Sequence, residues 1–289
     1  MTACTSRIHQ LREEVLSAKS RICLERARCY TAVYRDHPEQ PLIIRRALAL
    51  SATLRSMTIF LEEGTLLAGN QSSALRAAPI FPEYAVDWLI REIDEFERRS
   101  GDTFHPDRET KKELLEICDW WKGKTTLDKG RTQMQSLHRR IHESGIIRAE
   151  GNLSSGDGHI AVDVRRILGE GLNAYTARVI ELHKACNASQ LDGMKRSRFY
   201  DAVTIALESL QGFILRYARL ASEQAASCTE GHREEELRKI SRICYKIASE
   251  PASSLHEAIQ LTWFIQLVLQ IESNGHSLSL GRLDQYLYP

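Results

Sequence analysis

The stretch Gln270-Ile271-Glu272-Ser273-Asn274-Gly275-His276-Ser277-Leu278-Ser279-Leu280-Gly281-Arg282-Leu283-Asp284-Gln285-Tyr286-Leu287-Tyr288-Pro289 decides how the chain reads, because an apolar helix gives way within it to a polar turn. Upstream, the run from Ala258 to Ile271 is broken by Gln260, Gln266 and Gln270. It falls short of the roughly 20 apolar residues that a membrane crossing needs, so a buried helix is expected. Glu272 to Ser277 then brings a carboxylate, an amide, a hydroxyl and an imidazole close to an apolar interior. Buried polar groups need partners. Two readings stand: Glu272 and Asn274 cap the helix while His276 satisfies a carbonyl, or a polyhydroxylated ligand supplies the partners. The Tyr-Leu-Tyr-Pro end has no polar tail, and the chain is read as a piece of something longer.

The 289 residues, 43% hydrophobic, suffice for one large domain or two ordinary ones with a real core. Lysine and arginine total 39 against 38 acidic residues, so no net field recruits nucleic acid, an anionic membrane or a polyanionic substrate. Neutral partners are favoured. The seven cysteines are scattered without a Cys-x-x-Cys pair, which argues for core thiols and against zinc, iron–sulfur ligation or redox exchange. The N-terminus lacks the apolar run and cleavage site of a secretory signal, and a cytoplasmic location is expected.

Helical signals dominate. Ser6 to Tyr34 reads as one or two charged helices, and Pro41 to Phe60 as another, with Leu42, Ile43, Leu48, Leu50, Leu54 and Met57 on its buried side. After a bend at Glu62-Glu63-Gly64, the short segment Thr65 to Asn70 suits a strand or extended backbone. Pro82 is expected to open a helix on which Val86, Leu89, Ile90, Ile93 and Phe96 recur until Ser100-Gly101. Asp107 is expected to cap a helix running to Trp121, with Leu114, Leu115, Ile117, Cys118 and Trp121 inward and Gly123 closing it. Three more helices follow from Arg166, ending near Leu182, Cys228 and Ser249, the last stopped by Glu250-Pro251. Glu150 to Asp163 differs: Gly151, Gly156 and Gly158 interrupt it and polar residues decorate it, as in a shaped loop.

Three clusters offer chemistry. In Gly156-Asp157-Gly158-His159 the glycines permit a tight turn that leaves the imidazole facing a cavity, and histidine exchanges protons near neutral pH; a turn histidine held by backbone bonds satisfies the same pattern. Glu272 to Ser277 is the second. His138 and His142 lie four apart, as metal ligands on one helix face do, but Arg139 and Arg140 between them repel a cation and a solvated face fits better. There is no Gly-x-Ser-x-Gly elbow, no phosphate-binding glycine spacing and no activated-thiolate pattern.

Taken together, Glu25-Arg26-Ala27, Arg45 to Leu50, Leu67 to Asn70 with Pro79 to Glu83, Gly156 to His159 and Gln270 to Pro289 resemble the glycyl radical enzymes, in the pyruvate formate-lyase-like group that includes glycerol and diol dehydratases. The resemblance covers nearly the whole chain. It implies a mainly α chain with a few short strands, the N-terminal helical part of a glycyl-radical-enzyme α/β barrel whose strands come largely from later sequence, with Leu66 to Asn70 and Leu278 to Leu280 contributing. Residues 1–289 are thus expected to form one part of a pyruvate formate-lyase-like domain. The family's Gly-Cys-x-Glu loop is missing, and Arg178-Val179 is followed by Ile180-Glu181 rather than by the radical loop, so the chain alone is expected not to turn over.

By resemblance, His159 falls beside a substrate hydroxyl and assists its departure, while His276 and Ser277 contact and orient the substrate. The activity implied is dehydration of a small, neutral diol or polyol. Carbon–carbon cleavage of a 2-oxo acid with coenzyme A, as in formate C-acetyltransferase, is the alternative within the family, and a non-catalytic remnant or interaction protein is the alternative outside it. The resemblance further implies a homodimer and an organic glycyl radical, installed by a separate activating enzyme that uses S-adenosylmethionine and an iron–sulfur cluster. The chain itself is expected to bind no cofactor and no metal.

Overall fold

The computed structural model describes residues 3–146, 151–156, 158–187, 189–275 and 277–288. Helix α1 (Ala3–Ser17) leads into a short strand β1 (Arg21–Cys23), then α2 (Glu25–Asp36) and α3 (Leu42–Ser56). Strand β2 (Ala77–Pro79) returns alongside β1 in parallel, in the register Arg21↔Ala77, Ile22↔Ala78 and Cys23↔Pro79. Next come α4 (Asp87–Glu92), a single turn of 3-10 helix at Phe96–Arg98, α5 (Arg108–Trp121), α6 (Thr126–Gln133), α7 (Ser136–Glu143) and α8 (Gly151–Ser155). Four long helices follow, α9 (Val164–Lys184), α10 (Gly193–Ser227), α11 (Gly231–Ile247) and α12 (Leu255–Ser273), and a last turn α13 (Leu283–Tyr286). Among the described residues no helix is long and apolar enough to cross a membrane.

The ends of these helices follow from local chemistry. Asp107 accepts from the Thr110 amide at 2.8 Å, as its position before α5 predicts, and Thr125 with Asp128 forms a reciprocal cap on α6. Helix α9 kinks at Gly171, which has a φ of +79°. There the Leu168 carbonyl accepts from Ala252 at 3.0 Å instead of continuing the helical ladder. The segment after α11 crosses so closely that a Cβ on Gly171 would meet Glu250 and Pro251 backbone atoms at 2.6 Å.

Two cores result. The larger gathers Leu54 of α3, Leu172 of α9, Phe213, Ile214 and Tyr217 of α10, Ile240 and Ile247 of α11, and Leu261 and Phe264 of α12. Its aromatic centre has ring centroids 5.2–6.1 Å apart among Phe213, Tyr217 and Phe264, the tilted and edge-on geometry that ring quadrupoles favour. The smaller joins Leu24 and Ala27 to Ile80, Val86, Leu89, Phe96, Leu114, Cys118 and Trp121.

Thr65 to Asn70, expected as a strand or extended backbone, forms no strand and bends at Leu66 and Leu67. Side chains satisfy it instead. Gln260 of α12 accepts from the Ala68 amide and donates to the Ala68 carbonyl, each at 2.8 Å, so one amide side chain replaces a strand neighbour. The Asn70 amide donates to the Tyr217 hydroxyl at 2.8 Å.

Several expectations need correction. Pro82 does not open a helix: the apolar series from Val86 to Phe96 is buried as its spacing predicts, apart from half-buried Ile90, but it runs over α4, a turn and the 3-10 turn. Leu42 and Ile43, 54% and 41% exposed, face outward at the start of α3, and Leu115 is 41% exposed. The charged N-terminal stretch holds β1 between its two helices. Residues 151–155 of the expected loop form the short helix α8.

Candidate active-site loops

The site begins where α12 ends. Asn274 and Gly275 turn the chain with φ of 67° and 70°, the left-handed region that glycine enters freely and asparagine tolerates. Helix ends leave carbonyls without partners, and here guanidinium groups reach them. Arg26 Nε donates to the Ile271 carbonyl at 2.5 Å and its Nη2 to the Glu272 carbonyl at 3.0 Å. Arg46 Nη2 also donates to the Glu272 carbonyl, at 3.3 Å, and Arg46 Nε donates to the Glu272 carboxylate. Glu272 therefore pairs with Arg46 rather than capping the helix, whereas Asn274 does occupy the cap.

Both arginines are themselves held. Arg26 lies between the rings of Tyr30 and Phe81, 3.6 and 3.8 Å from their centroids, and makes a two-pronged ion pair with Glu83 at 2.6 and 3.1 Å. Burial, the largest single influence, works against its charge, but Glu83, Tyr30 and Tyr84 together outweigh it and hold the guanidinium above its ordinary range. Arg46 shows the same balance, with Glu272 and Tyr84 outweighing burial. The Tyr84 hydroxyl accepts from Arg46 Nη2, and burial raises its pKa despite that cation.

The loop after α8 packs against this turn. Gly156 has a φ of +71°, and a Cβ there would fall 2.1 Å from the Tyr84 ring; one on Gly158 would fall 2.5 Å from Leu278 and 3.0 Å from Ser273 Oγ. Asn274 Nδ2 donates to the Ser155 carbonyl at 2.6 Å. The Ser279 amide donates to the Ile160 carbonyl at 2.9 Å, within a parallel bridge between Ala161 and Ser279. Gln266 of α12 steadies this side by donating to the Leu278 carbonyl at 3.0 Å. Two residues back from the bridge along each strand stand His159 and Ser277, both exposed.

Of the five non-glycine residues with positive φ among the described residues, three lie here: His159 at 28°, Asn274 at 67° and Ser277 at 62°. Such backbone costs about 1–3 kcal/mol per residue and concentrates at functional sites. The structure thus brings together the loops of His159 and Ser277, which sequence spacing alone could not pair. His276 and Asp157 lie outside the described residues. His138 and His142 belong to the surface helix α7, and among the described residues no group of three or more His, Cys, Asp or Glu side chains could hold a metal.

A family model described as pyruvate formate lyase-like matches residues 1–289. The chain belongs to the pyruvate formate lyase-like family. Its relatives in that family are glycyl radical enzymes. It is 43% identical over 271 residues to the probable dehydratase YbiW of Escherichia coli (strain K12), covering 94% of this chain and 34% of that protein. It is 34% identical over 289 residues to (2S)-3-sulfopropanediol dehydratase of Klebsiella oxytoca, covering 98% and 35%. Among solved structures, the glycerol-bound form of the B12-independent glycerol dehydratase from Clostridium butyricum superposes with a TM-score of 0.94 at 34% identity, covering 98% of this chain and 36% of that one. The chain therefore spans about a third of the length of these relatives.

In this family member, sequence reasoning assigned no function to Arg26, Arg46, Glu83 or Tyr84. Arginines in charged helices read as solvated, and nothing in their spacing announces a partner about 226–246 residues away. The one available signal was that blocks containing Arg26, Arg46 and Glu83 carried the family resemblance.

Proposed function

We propose that this chain is part of a glycyl radical dehydratase that removes a hydroxyl from a small, neutral diol or polyol, with His159 assisting the departing hydroxyl and His276 and Ser277 orienting the substrate. The observation that carries this reading is the Ala161–Ser279 bridge, which brings the loops of His159 and Ser277 side by side. Hydrogen abstraction would be supplied by the thiyl and glycyl radical chemistry of the family, from residues outside these loops, which contain no cysteine.

What these loops supply is acid–base chemistry and hydrogen bonding. An imidazole near neutral pH can present an N–H to a hydroxyl oxygen and deliver its proton as that oxygen leaves as water. A serine hydroxyl both donates and accepts, so it suits the second hydroxyl of a diol. The two arginines that reach the turn are already engaged by Glu83 and Glu272, which favours a neutral substrate over a carboxylate or sulfonate that would need an arginine of its own. Several relatives are named as dehydratases of hydroxylated compounds, in keeping with this chemistry.

The test is His159→Ala in the full-length enzyme, activated by its S-adenosylmethionine-dependent partner and supplied with glycerol or 1,2-propanediol. Loss of proton transfer should lower kcat by about 10²–10⁴ while the radical content, read by electron paramagnetic resonance, stays at the wild-type level. Unchanged turnover with the radical installed would refute the role of His159. Acetyl-coenzyme A formed from pyruvate and coenzyme A would move the assignment to carbon–carbon cleavage.

A further inference from the structure

One side chain outside both loops packs against the first and reaches the second through Arg46. Tyr84 is 6% exposed. Its carbonyl accepts from the Leu127 amide at 3.0 Å and its amide donates to the Phe81 carbonyl at 3.4 Å, so its backbone is fixed by the start of α6 and by the preceding turn. Its ring lies where a Cβ of Gly156 would be, and Gly156 is three residues before His159. Its hydroxyl accepts from Arg46, whose guanidinium also binds the carboxylate and carbonyl of Glu272, five residues before Ser277. The ring thus seats one loop while the hydroxyl, through Arg46, seats the other.

We infer that Tyr84 is a positioning residue that sets the separation between His159 and Ser277; this rests on the dehydratase reading of those two residues. The ring carries the larger share, since Gly156 packs against it directly, whereas removal of the hydroxyl leaves Arg46 on Glu272. A smaller side chain at 84 lets the His159 loop sink toward the vacated space. Misplacement of a reacting group by about 1 Å costs about 10²-fold in rate.

The experiment compares Tyr84→Leu and Tyr84→Phe in the full-length enzyme. With glycerol, Tyr84→Leu should lower kcat by about 10²-fold and raise KM at an unchanged radical content per protomer, and Tyr84→Phe should restore most of kcat. In the unactivated protein, amide hydrogen exchange in peptides spanning 151–161 and 270–280 should accelerate together in Tyr84→Leu, and only slightly in Tyr84→Phe. A Tyr84→Leu enzyme with unchanged KM, and activity lost only in proportion to its unfolded fraction, would overturn the inference. So would acceleration confined to one of the two peptides. If the wild-type enzyme turned over neither glycerol nor 1,2-propanediol, the dehydratase reading would fall while the exchange measurement still decided the role of Tyr84.

Discussion

Replacing Arg26 with methionine removes a cation from the join between the two cores while keeping most of the side-chain volume. Arg26 and Glu83 are 2% and 4% exposed. Loss of one member of a buried pair leaves the other charge without compensation, at a cost of about 3–5 kcal/mol. The Ile271 carbonyl also loses its guanidinium donor, adding about 1–3 kcal/mol, whereas the Glu272 carbonyl keeps Arg46 at 3.3 Å. A combined loss of about 5 kcal/mol is a large share of the roughly 5–15 kcal/mol that holds a domain folded. At about 2–4 °C per kcal/mol for chains of this size class, the melting temperature should fall by about 10–20 °C. Thermal melting and urea titration followed by circular dichroism read this directly. The double variant Arg26→Met/Glu83→Leu buries no orphaned charge and should recover about 3 kcal/mol relative to Arg26→Met. If Arg26→Met melted within about 3 °C of the wild type, or if the double variant lost simply the sum of the single losses, the reasoning about this pair would be wrong.

Glycines offer a test of opposite signs. Gly171→Ala should cost about 3 kcal/mol or more, because its left-handed φ and the Glu250–Pro251 backbone both oppose a Cβ; Gly212→Ala, with nothing within 4 Å and a position inside α10, should stabilise by about 0.5–1 kcal/mol. Burial raises the thiols of Cys118 and Cys244 to about 12, so neither should react with a disulfide reagent at neutral pH until the protein is unfolded. The same shifts fix the alkaline limit. Above pH 9 the unfolded thiols lose protons that the folded ones retain, so the folded state binds more protons and stability falls as pH rises from about 9 toward 12. Burial also raises Tyr34 to about 12, which adds to that loss, and urea midpoints measured across this range should decline steadily.

Much of the scaffold was legible because long amphipathic helices declare themselves by period. The ends read for α9, α10 and α11, at Leu182, Cys228 and Ser249, fall within two residues of the observed ones, and Asp107 caps α5 as its type and position imply. What failed did so for identifiable reasons. Three-residue strands such as β1 and β2 are too short to show a period of two. The series Val86, Leu89, Ile93, Phe96 specifies which side faces the core but says nothing about unbroken helical hydrogen bonding, so α4 stops after six residues. Leu42, Ile43 and Leu115 matched an apolar stripe and yet face outward, since burial depends on what lies opposite. At the candidate site, His159 and Ser277 were recognisable as polar residues on glycine-bearing turns. Their pairing across the Ala161–Ser279 bridge was not, because contacts at long sequence separation leave no local pattern.

The glutamines of α12 first read as interruptions of an apolar run. Apolar burial has no direction, and a smooth greasy rod could turn about its axis or slide along it at small cost. Gln260 grips both backbone groups of Ala68, and Gln266, six residues on, grips the Leu278 carbonyl. A slip of one residue would carry Gln260 along the axis by about 1.5 Å and around it by about 100°, breaking both grips and leaving buried amides unpaired at about 1–3 kcal/mol each. The helix is keyed like a splined shaft: its depth and rotation are discrete settings, and the turn that bears Ser277 inherits them.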